Sequence, residues 1–89
     1  MERNMTEQRA ERKRIGATLA FVRKQRELKQ DELAECLGIA RPYLANIEAG
    51  RRSLSPSLAR KASKVLGIRP IVLVNEDFLK SDLAQQKTA

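Results

Sequence analysis

Two short helical segments joined by a tight turn are the feature of this sequence that most constrains its fold. Each segment carries a pair of apolar residues at helical spacing: Leu33 and Leu37, then Leu44 and Ile47. Residues three or four apart lie on the same face of an α-helix, so each pair defines a face to be buried. Between the segments, Gly38 suits the positive φ of a tight turn, and Ala34 is small enough for a second helix to cross closely. The spacing therefore predicts two crossing helices with a shared core.

The remaining periodicity predicts helices on both sides of this pair. A helix over residues 12–26 is indicated by the spacing of Ile15, Leu19 and Val22. A later helix over residues 56–66 has capping, first-turn and stop residues in the expected order, Ser55, Pro56 and Gly67. We expect its inward face to comprise Ala59, Ala62, Val65 and Leu66. The run PIVLV at residues 70–74 favours a short fifth helix, although its β-branched side chains also permit a strand.

The charge is distributed unevenly along the 89 residues. Lys and Arg total 18 against 11 Asp and Glu, a net charge of +7; residues 1–29 hold nine basic and four acidic side chains, whereas residues 68–89 hold three of each. We expect residues 1–11 to form a basic arm, either unstructured or an extension of the next helix, residues 12–74 a single domain, and residues 75–89 a polar tail able to form a helix. The basic excess indicates a polyanionic partner, usually nucleic acid and less often an acidic membrane, unless it only keeps the surface soluble.

Several kinds of chemistry are excluded by the residue types that the sequence lacks. It contains no His and a single cysteine, Cys36, which leaves no intramolecular disulfide, no thiolate set for zinc and no Ser–His or Cys–His pair for catalysis. There is no acid–base pair or phosphate-binding loop either, so we expect neither an enzyme nor a cofactor. Three aromatic rings are too few for a surface that stacks single-stranded bases. The absence of a membrane-spanning run and of a signal peptide, together with the free thiol, fits a cytoplasmic protein.

The helix pair and its flanks resemble the helix-turn-helix of the phage repressor/Cro (XRE-like) family. The resemblance is carried by the alanine, glycine and apolar positions of the pair, by the trailing IEAGRR, and by Arg23, Gln30 and Glu48. It continues through SPSLARKASKVLGIRP and covers residues 15–74. It implies a compact, all-α bundle of about five helices, in which the second helix of the motif, residues 41–49, lies in the major groove of double-stranded DNA with its N-terminal residues at the base edges.

The resemblance also assigns roles to individual residues. Those assigned to DNA are Lys29, Gln30, Arg41, Pro42, Tyr43, Ala45, Asn46, Arg51 and Arg52. The family reads bases from the second motif helix, and it grips phosphates at the position of Gln30 and in the loop that holds the last two arginines. Arg23 and Glu48 match a family ion pair that ties the first helix to the end of the third. Lys29 and Ala40 stand where the family often has a capping Ser or Thr, a loss of about 1 kcal/mol each.

The side chains of the reading helix suit base recognition on chemical grounds. Arg41 can bond bidentately to guanine O6 and N7, and Asn46 to adenine N6 and N7, each pair worth about 1–3 kcal/mol of discrimination. Ala45 or the ring of Pro42 can touch a thymine methyl group. Proline disfavours helical geometry in the residue before it, which leaves open whether the helix begins at Arg41 or at Pro42.

These features together predict a dimeric, sequence-specific DNA-binding regulator, above all a repressor. Two copies would bind half-sites roughly 34 Å apart. The candidate dimer surface is apolar and C-terminal, and the same residues would alternatively close the bundle: Ile71, Val72, Leu73, Val74, Phe78 and Leu79. The alternative functions are an antitoxin that neutralises a toxin and represses its own operon, and a controller protein of a restriction–modification system.

Overall fold

The computed structural model describes residues 5–69 and residue 73, and the regular structure in that part of the chain is helical. Its helices are α1 (Met5–Gln25), α2 (Gln30–Leu37), α3 (Arg41–Glu48) and α4 (Pro56–Leu66). No strand occurs among these residues, so the all-α prediction is confirmed for them. The element predicted at 70–74, apart from residue 73, and the tail at 75–89 lie outside the described residues, and the count of five helices is not confirmed.

α1 begins earlier in the chain than the periodicity predicted. It starts at Met5 rather than at Arg12, so residues 5–11 of the predicted arm are part of the first helix. The added turns consist mostly of good helix formers, and the Arg14 guanidinium donates to the Glu11 carboxylate one turn earlier at 2.7 Å. Arg12 also donates from Nε to the carbonyl of Gly50 at 3.3 Å. This part of α1 is therefore held by a tertiary contact that hydrophobic periodicity does not reveal.

One core joins the four helices. Its buried residues are Leu19, Leu33, Ala34, Leu37, Leu44, Ile47, Ala59, Ala62, Leu66 and Leu73, each at most 2% exposed. The two apolar pairs and the small residue predicted for the crossing of α2 and α3 all belong to it. The prediction for Val65 is wrong, because this side chain is 39% exposed. Ser63 takes the inward position instead, and its hydroxyl is satisfied by donating to the Ala59 carbonyl at 2.8 Å.

The four described helices end in the same way. Each is followed by a residue in the left-handed region: Glu27, Gly38, Gly50 and Gly67. The next residue then donates its N–H to a carbonyl in the last helical turn; the donors are Leu28, Ile39, Arg51 and Ile68. This cap usually brings an apolar side chain onto the helix end, and the three aliphatic donors do pack against the core. Arg51 is the exception, because its side chain is exposed.

The position of α3 is set by a close approach to α1. Gly16 is buried in the middle of α1, and a Cβ atom there would lie 2.7 Å from the carbonyl oxygen of Glu48 and closer still to that of Ile47. Gly50, just beyond α3, would likewise place a Cβ 2.8 Å from the Cα of Lys13. Two glycines thus let the end of α3 rest directly on the backbone of α1.

Candidate nucleic-acid interface

α3 buries one face and exposes the other. Leu44 and Ile47 are 0% and 1% exposed, so these two side chains anchor the helix in the core. The remaining face presents exposed or half-buried residues that are small or able to form hydrogen bonds: Arg41, Pro42, Ala45, Asn46 and Ala49. The predicted reading residues therefore share one surface, and a helix of this kind can approach a partner closely.

The first turn of α3 begins at Arg41, with Pro42 as the second helical residue. Ala40 is the extended residue before it, with φ −74° and ψ 147°, and offers no side-chain cap, as predicted. The proline ring fits at this position because a residue in the first turn has no helical carbonyl four residues earlier with which the ring could clash. The question left open by the sequence is thus answered in favour of Arg41.

The predicted ion pair between α1 and α3 is present and buried. The Arg23 guanidinium donates from Nε to Glu48 Oε2 at 2.8 Å and from Nη2 to Oε1 at 3.1 Å. Its Nη1 donates to the carbonyl of Leu28 at 2.8 Å. The two side chains are only 9% and 6% exposed, so this bidentate geometry matters for stability: it satisfies charges that are largely removed from water.

Gln30 extends this pair to the exposed face of α3. Its amide Nε2 donates to Glu48 Oε1 at 3.0 Å, and its Oε1 accepts from Arg41 Nη1 at 3.3 Å. A chain of hydrogen bonds therefore runs from buried Arg23 through the first residue of α2 to the first residue of α3. The structure brings together Gln30 and Arg41, which the sequence had assigned to phosphate and base contacts respectively.

Both loop arginines after α3 lie against that helix. Arg51 Nε donates to Asn46 Oδ1 at 2.9 Å. The Arg52 guanidinium carbon lies 4.6 Å from the centroid of the Tyr43 ring, within the range of a cation–π contact. The exposed face of α3 is thus bordered by cations at its start and beyond its end, while Tyr43 supports one of them and is itself partly buried against the core.

Lys29 precedes α2 as the extended residue and leaves its charged side chain exposed. Its side chain makes no capping hydrogen bond, as expected for an ammonium group without an acceptor. Its backbone N–H, however, donates to the Glu32 carboxylate at 2.7 Å, which is half of a capping box. The predicted loss at this helix start is therefore reduced by Glu32, whose acidic side chain three residues later was a signal in the sequence.

Sequence reasoning did not find the link between Arg12 and the loop after α3. The Arg12 side chain, which bonds to the Gly50 carbonyl, lines with Arg52 a groove of about 340 Å³ between α1 and that loop. The basic run ERKR was the available signal, but it did not reveal which element it would meet. α1 therefore adds positive charge close to the loop arginines.

Other predicted residues and sites have mixed outcomes. Leu73 is 1% exposed and belongs to the core, which favours bundle closure for this residue; its five companions in the candidate dimer surface lie outside the described residues. Cys36 is exposed. Among the described residues, no three His, Cys, Asp or Glu side chains are placed to bind a metal ion, and no helix is long and apolar enough to cross a membrane.

Comparison with known proteins relates this geometry to one family. The family profile described as "Helix-turn-helix" (HTH_3) matches residues 19–73. The immunity repressor protein of Bacillus phage phi105 is 37% identical over 65 residues, which cover 73% of this chain and 45% of the repressor. A transcriptional regulator of helix-turn-helix type from Methanothermobacter thermautotrophicus is 39% identical, over 65% of this chain and 88% of the regulator.

Solved structures agree with the sequence comparisons. The restriction–modification controller protein C.AhdI from Aeromonas hydrophila superimposes with a TM-score of 0.68 at 31% identity, covering 73% of this chain and 98% of the controller. The clp gene regulator ClgR from Corynebacterium glutamicum gives a TM-score of 0.67 at 28% identity, over 71% and 82% of the two chains. The present chain spans less than half of the length of its phage relatives, 45% and 43%.

Proposed function

Because the chain belongs to the phage repressor-like (XRE-type) helix-turn-helix family, HTH_3, we propose that it is a sequence-specific DNA-binding regulator of transcription. Its α3 enters the major groove of double-stranded DNA, and the family resemblance to an immunity repressor supports repression as the outcome.

The observation that carries this proposal is the construction of α3. Two aliphatic side chains fix it in the core, and the opposite face combines small or apolar residues with the hydrogen-bonding side chains of Arg41 and Asn46. Cations stand at both ends of that face, Arg41 at the start and the loop arginines beyond Gly50. A groove-reading helix needs this combination, because its exposed face, Arg41 included, must meet base edges while the cations beside that face neutralise phosphates.

The proposed roles follow from where each side chain lies. Arg41 and Asn46 contact base edges, with Pro42 and Ala45 against apolar base groups such as the thymine methyl. Phosphates are contacted by residues at the borders of α3, namely Lys29, Gln30, Arg51 and Arg52. Tyr43 supports Arg52 by the cation–π contact. Gln30 then has a double role, because its amide also holds Arg41 at the helix start.

We further propose that two copies bind one palindromic site. Recognition helices of this family act in pairs on half-sites about one turn of DNA apart, roughly 34 Å. The apolar residues assigned to the dimer surface, Leu73 excepted, remain the candidates for this contact. A protein that stays monomeric on an operator with two half-sites would contradict this part of the proposal.

Selection of bound duplexes from a random DNA pool tests the proposal directly. We expect the wild-type chain to enrich one palindromic sequence, and Asn46→Ala to lose preference at one position in each half-site, by roughly 5- to 150-fold against the best base. Gln25→Ala is the matched control, because it removes an exposed amide from the end of α1. An unchanged preference in Asn46→Ala would remove this residue from the base-contacting set.

A second candidate, a controller protein of a restriction–modification system, is favoured by one observation. The matched region covers 98% of C.AhdI and 73% of this chain, with a TM-score of 0.68, so nearly the whole controller protein has a counterpart in this chain. Restriction and modification genes adjoining the gene for this chain, with its selected site upstream of them, would support this role. The antitoxin alternative would be supported instead by co-purification with a toxin.

A further inference from the structure

The turn that ends α3 brings a loop arginine onto a residue of the reading face. Gly50, at φ 81°, donates its N–H to the Ile47 carbonyl at 3.1 Å, and Arg51 donates its N–H to the Asn46 carbonyl at 2.9 Å. This is the Schellman arrangement, in which the residue after the left-handed one lies over the last turn of the helix. The other three described helices fill that place with an aliphatic side chain, whereas α3 fills it with Arg51.

Arg51 is consequently attached to Asn46 twice, through the backbone and through the side chains. Its Nε donates to Asn46 Oδ1 at 2.9 Å, in addition to the backbone bond. A guanidinium group has donors only, so the amide oxygen of Asn46 is the atom that must face it. The amide NH₂ then points away from Arg51, and within the described residues it has no hydrogen-bond partner. Asn46 therefore offers both of its N–H donors to an approaching molecule, whereas one of the two lone pairs of its oxygen is already engaged by Arg51.

We propose that Arg51 is a positioning residue for base recognition, which makes Asn46 present its NH₂ group to the major groove and select guanine. This inference rests on the proposed function of α3. Guanine offers two acceptors in the major groove, N7 and O6, which match two amide hydrogens. Adenine offers one acceptor and the N6 donor, so it would have to share the amide oxygen with Arg51, which already engages one of the two lone pairs of that oxygen. An unconstrained Asn46 would favour adenine, so Arg51 changes which base is read.

The test compares two neighbouring arginines that carry the same charge. Arg51→Met and Arg52→Met each remove one cation from the loop and leave the backbone bonds to the Asn46 carbonyl, but only the first removes the side-chain bond to Asn46 Oδ1. Affinities are measured for the selected operator and for variants with each of the four base pairs at the position that Asn46→Ala identifies. The side-chain amide signals of Asn46 are followed by NMR in the DNA-free proteins, as a readout that does not depend on DNA binding.

We expect the wild-type chain to prefer guanine over adenine at that position by about tenfold, and Arg51→Met to lose or reverse this preference. Arg52→Met should weaken binding to all four sequences by the same factor, and only Arg51→Met should shift the Asn46 amide signals. The inference is overturned if the wild type prefers adenine, or if the two variants show the same base preference. A wild-type chain without any sequence preference would instead overturn the proposed function itself.

Discussion

At the scale of single residues, Gly16 shows how closely the backbones of α1 and α3 approach. Glycine inside a helix costs roughly 1 kcal/mol relative to alanine, so local propensity opposes it here. The space around it explains its presence, because a Cβ atom would lie 2.7 Å from the Glu48 carbonyl oxygen and 2.9 Å from its carbonyl carbon. These are backbone atoms of a packed helix and cannot move aside without displacing α3.

We therefore expect Gly16→Ala to destabilise the fold although it improves helix propensity. Overpacking of this kind costs about 1–3 kcal/mol, which corresponds to a fall in Tm of roughly 5–20 °C for a domain of this size. Thermal unfolding followed by circular dichroism measures the change. The control is Gly67→Ala, where φ is +69° but no atom lies within 4 Å of the added Cβ, so that backbone strain without any steric collision is expected. A stabilised Gly16→Ala variant would contradict the close approach.

Most of the residues in the candidate interface were proposed from the sequence, whereas most of their contacts could not be predicted. The pair of Arg23 and Glu48 was expected from the family resemblance and is present. The bond between Arg51 and Asn46 was not expected, because it depends on the Schellman turn folding the chain back over α3. A glycine followed by an arginine, where the other helix ends have an aliphatic residue, was the only signal in the sequence.

At the scale of elements, Glu48 connects three helices. Its carboxylate accepts two hydrogen bonds from Arg23 of α1 and one from Gln30 of α2. Gln30 in turn accepts a hydrogen bond from Arg41, at the start of α3, the helix that Glu48 ends. Through Gln30 of α2, the first turn of α3 is thereby linked by hydrogen bonds to the carboxylate of Glu48 at the end of the same helix. Stability of the helix pair and orientation of Arg41 are therefore expected to depend on one acidic group.

Removal of that carboxylate should be more harmful than removal of the whole ion pair. Glu48→Leu leaves the Arg23 charge buried without its partner, at a cost of about 3–5 kcal/mol. The double variant Arg23→Met with Glu48→Leu replaces both charges by apolar groups, and we expect it to regain part of that loss. Urea denaturation of the wild type, both single variants and the double variant gives the coupling energy. Strictly additive losses would show that the pair has no mutual dependence.

The helices themselves were predictable to different degrees. α2, α3 and α4 have apolar periodicity, α4 also has capping and stop residues at its ends, and the predicted limits of α3 and α4 lie within one residue of those observed. The start of α1 was not predictable in this way, because residues 5–11 are mostly polar and their two apolar residues, Met5 and Ala10, do not form an apolar face of helical spacing. Val65 was assigned to the inward face by its spacing. Ser63 lies there instead, because its side chain is small and its hydroxyl donates to a carbonyl of the same helix.

At the scale of the whole molecule, part of the positive charge lies beside α3. The chain has a net charge of +7, and the side chains that border the reading face are cationic or amide groups. Arg12 brings a further cation from α1 to the loop that follows α3. An attraction that arises from phosphates releases counterions, so it must weaken in a defined way as salt is added.

The salt dependence of operator binding can therefore distinguish two copies from one. If Lys29, Arg51 and Arg52 each neutralise one phosphate, a dimer contacts about six and a single copy about three. The logarithm of the binding constant should then fall against the logarithm of salt concentration with a slope of roughly −5 for a dimer and roughly −3 for a monomer. Titrations over roughly 50–200 mM KCl measure it, and Arg52→Met should make the dimer slope shallower by about 2. A slope near zero would mean that the arginines beyond Gly50 do not contact phosphates. It would contradict the proposed position of α3 in the major groove.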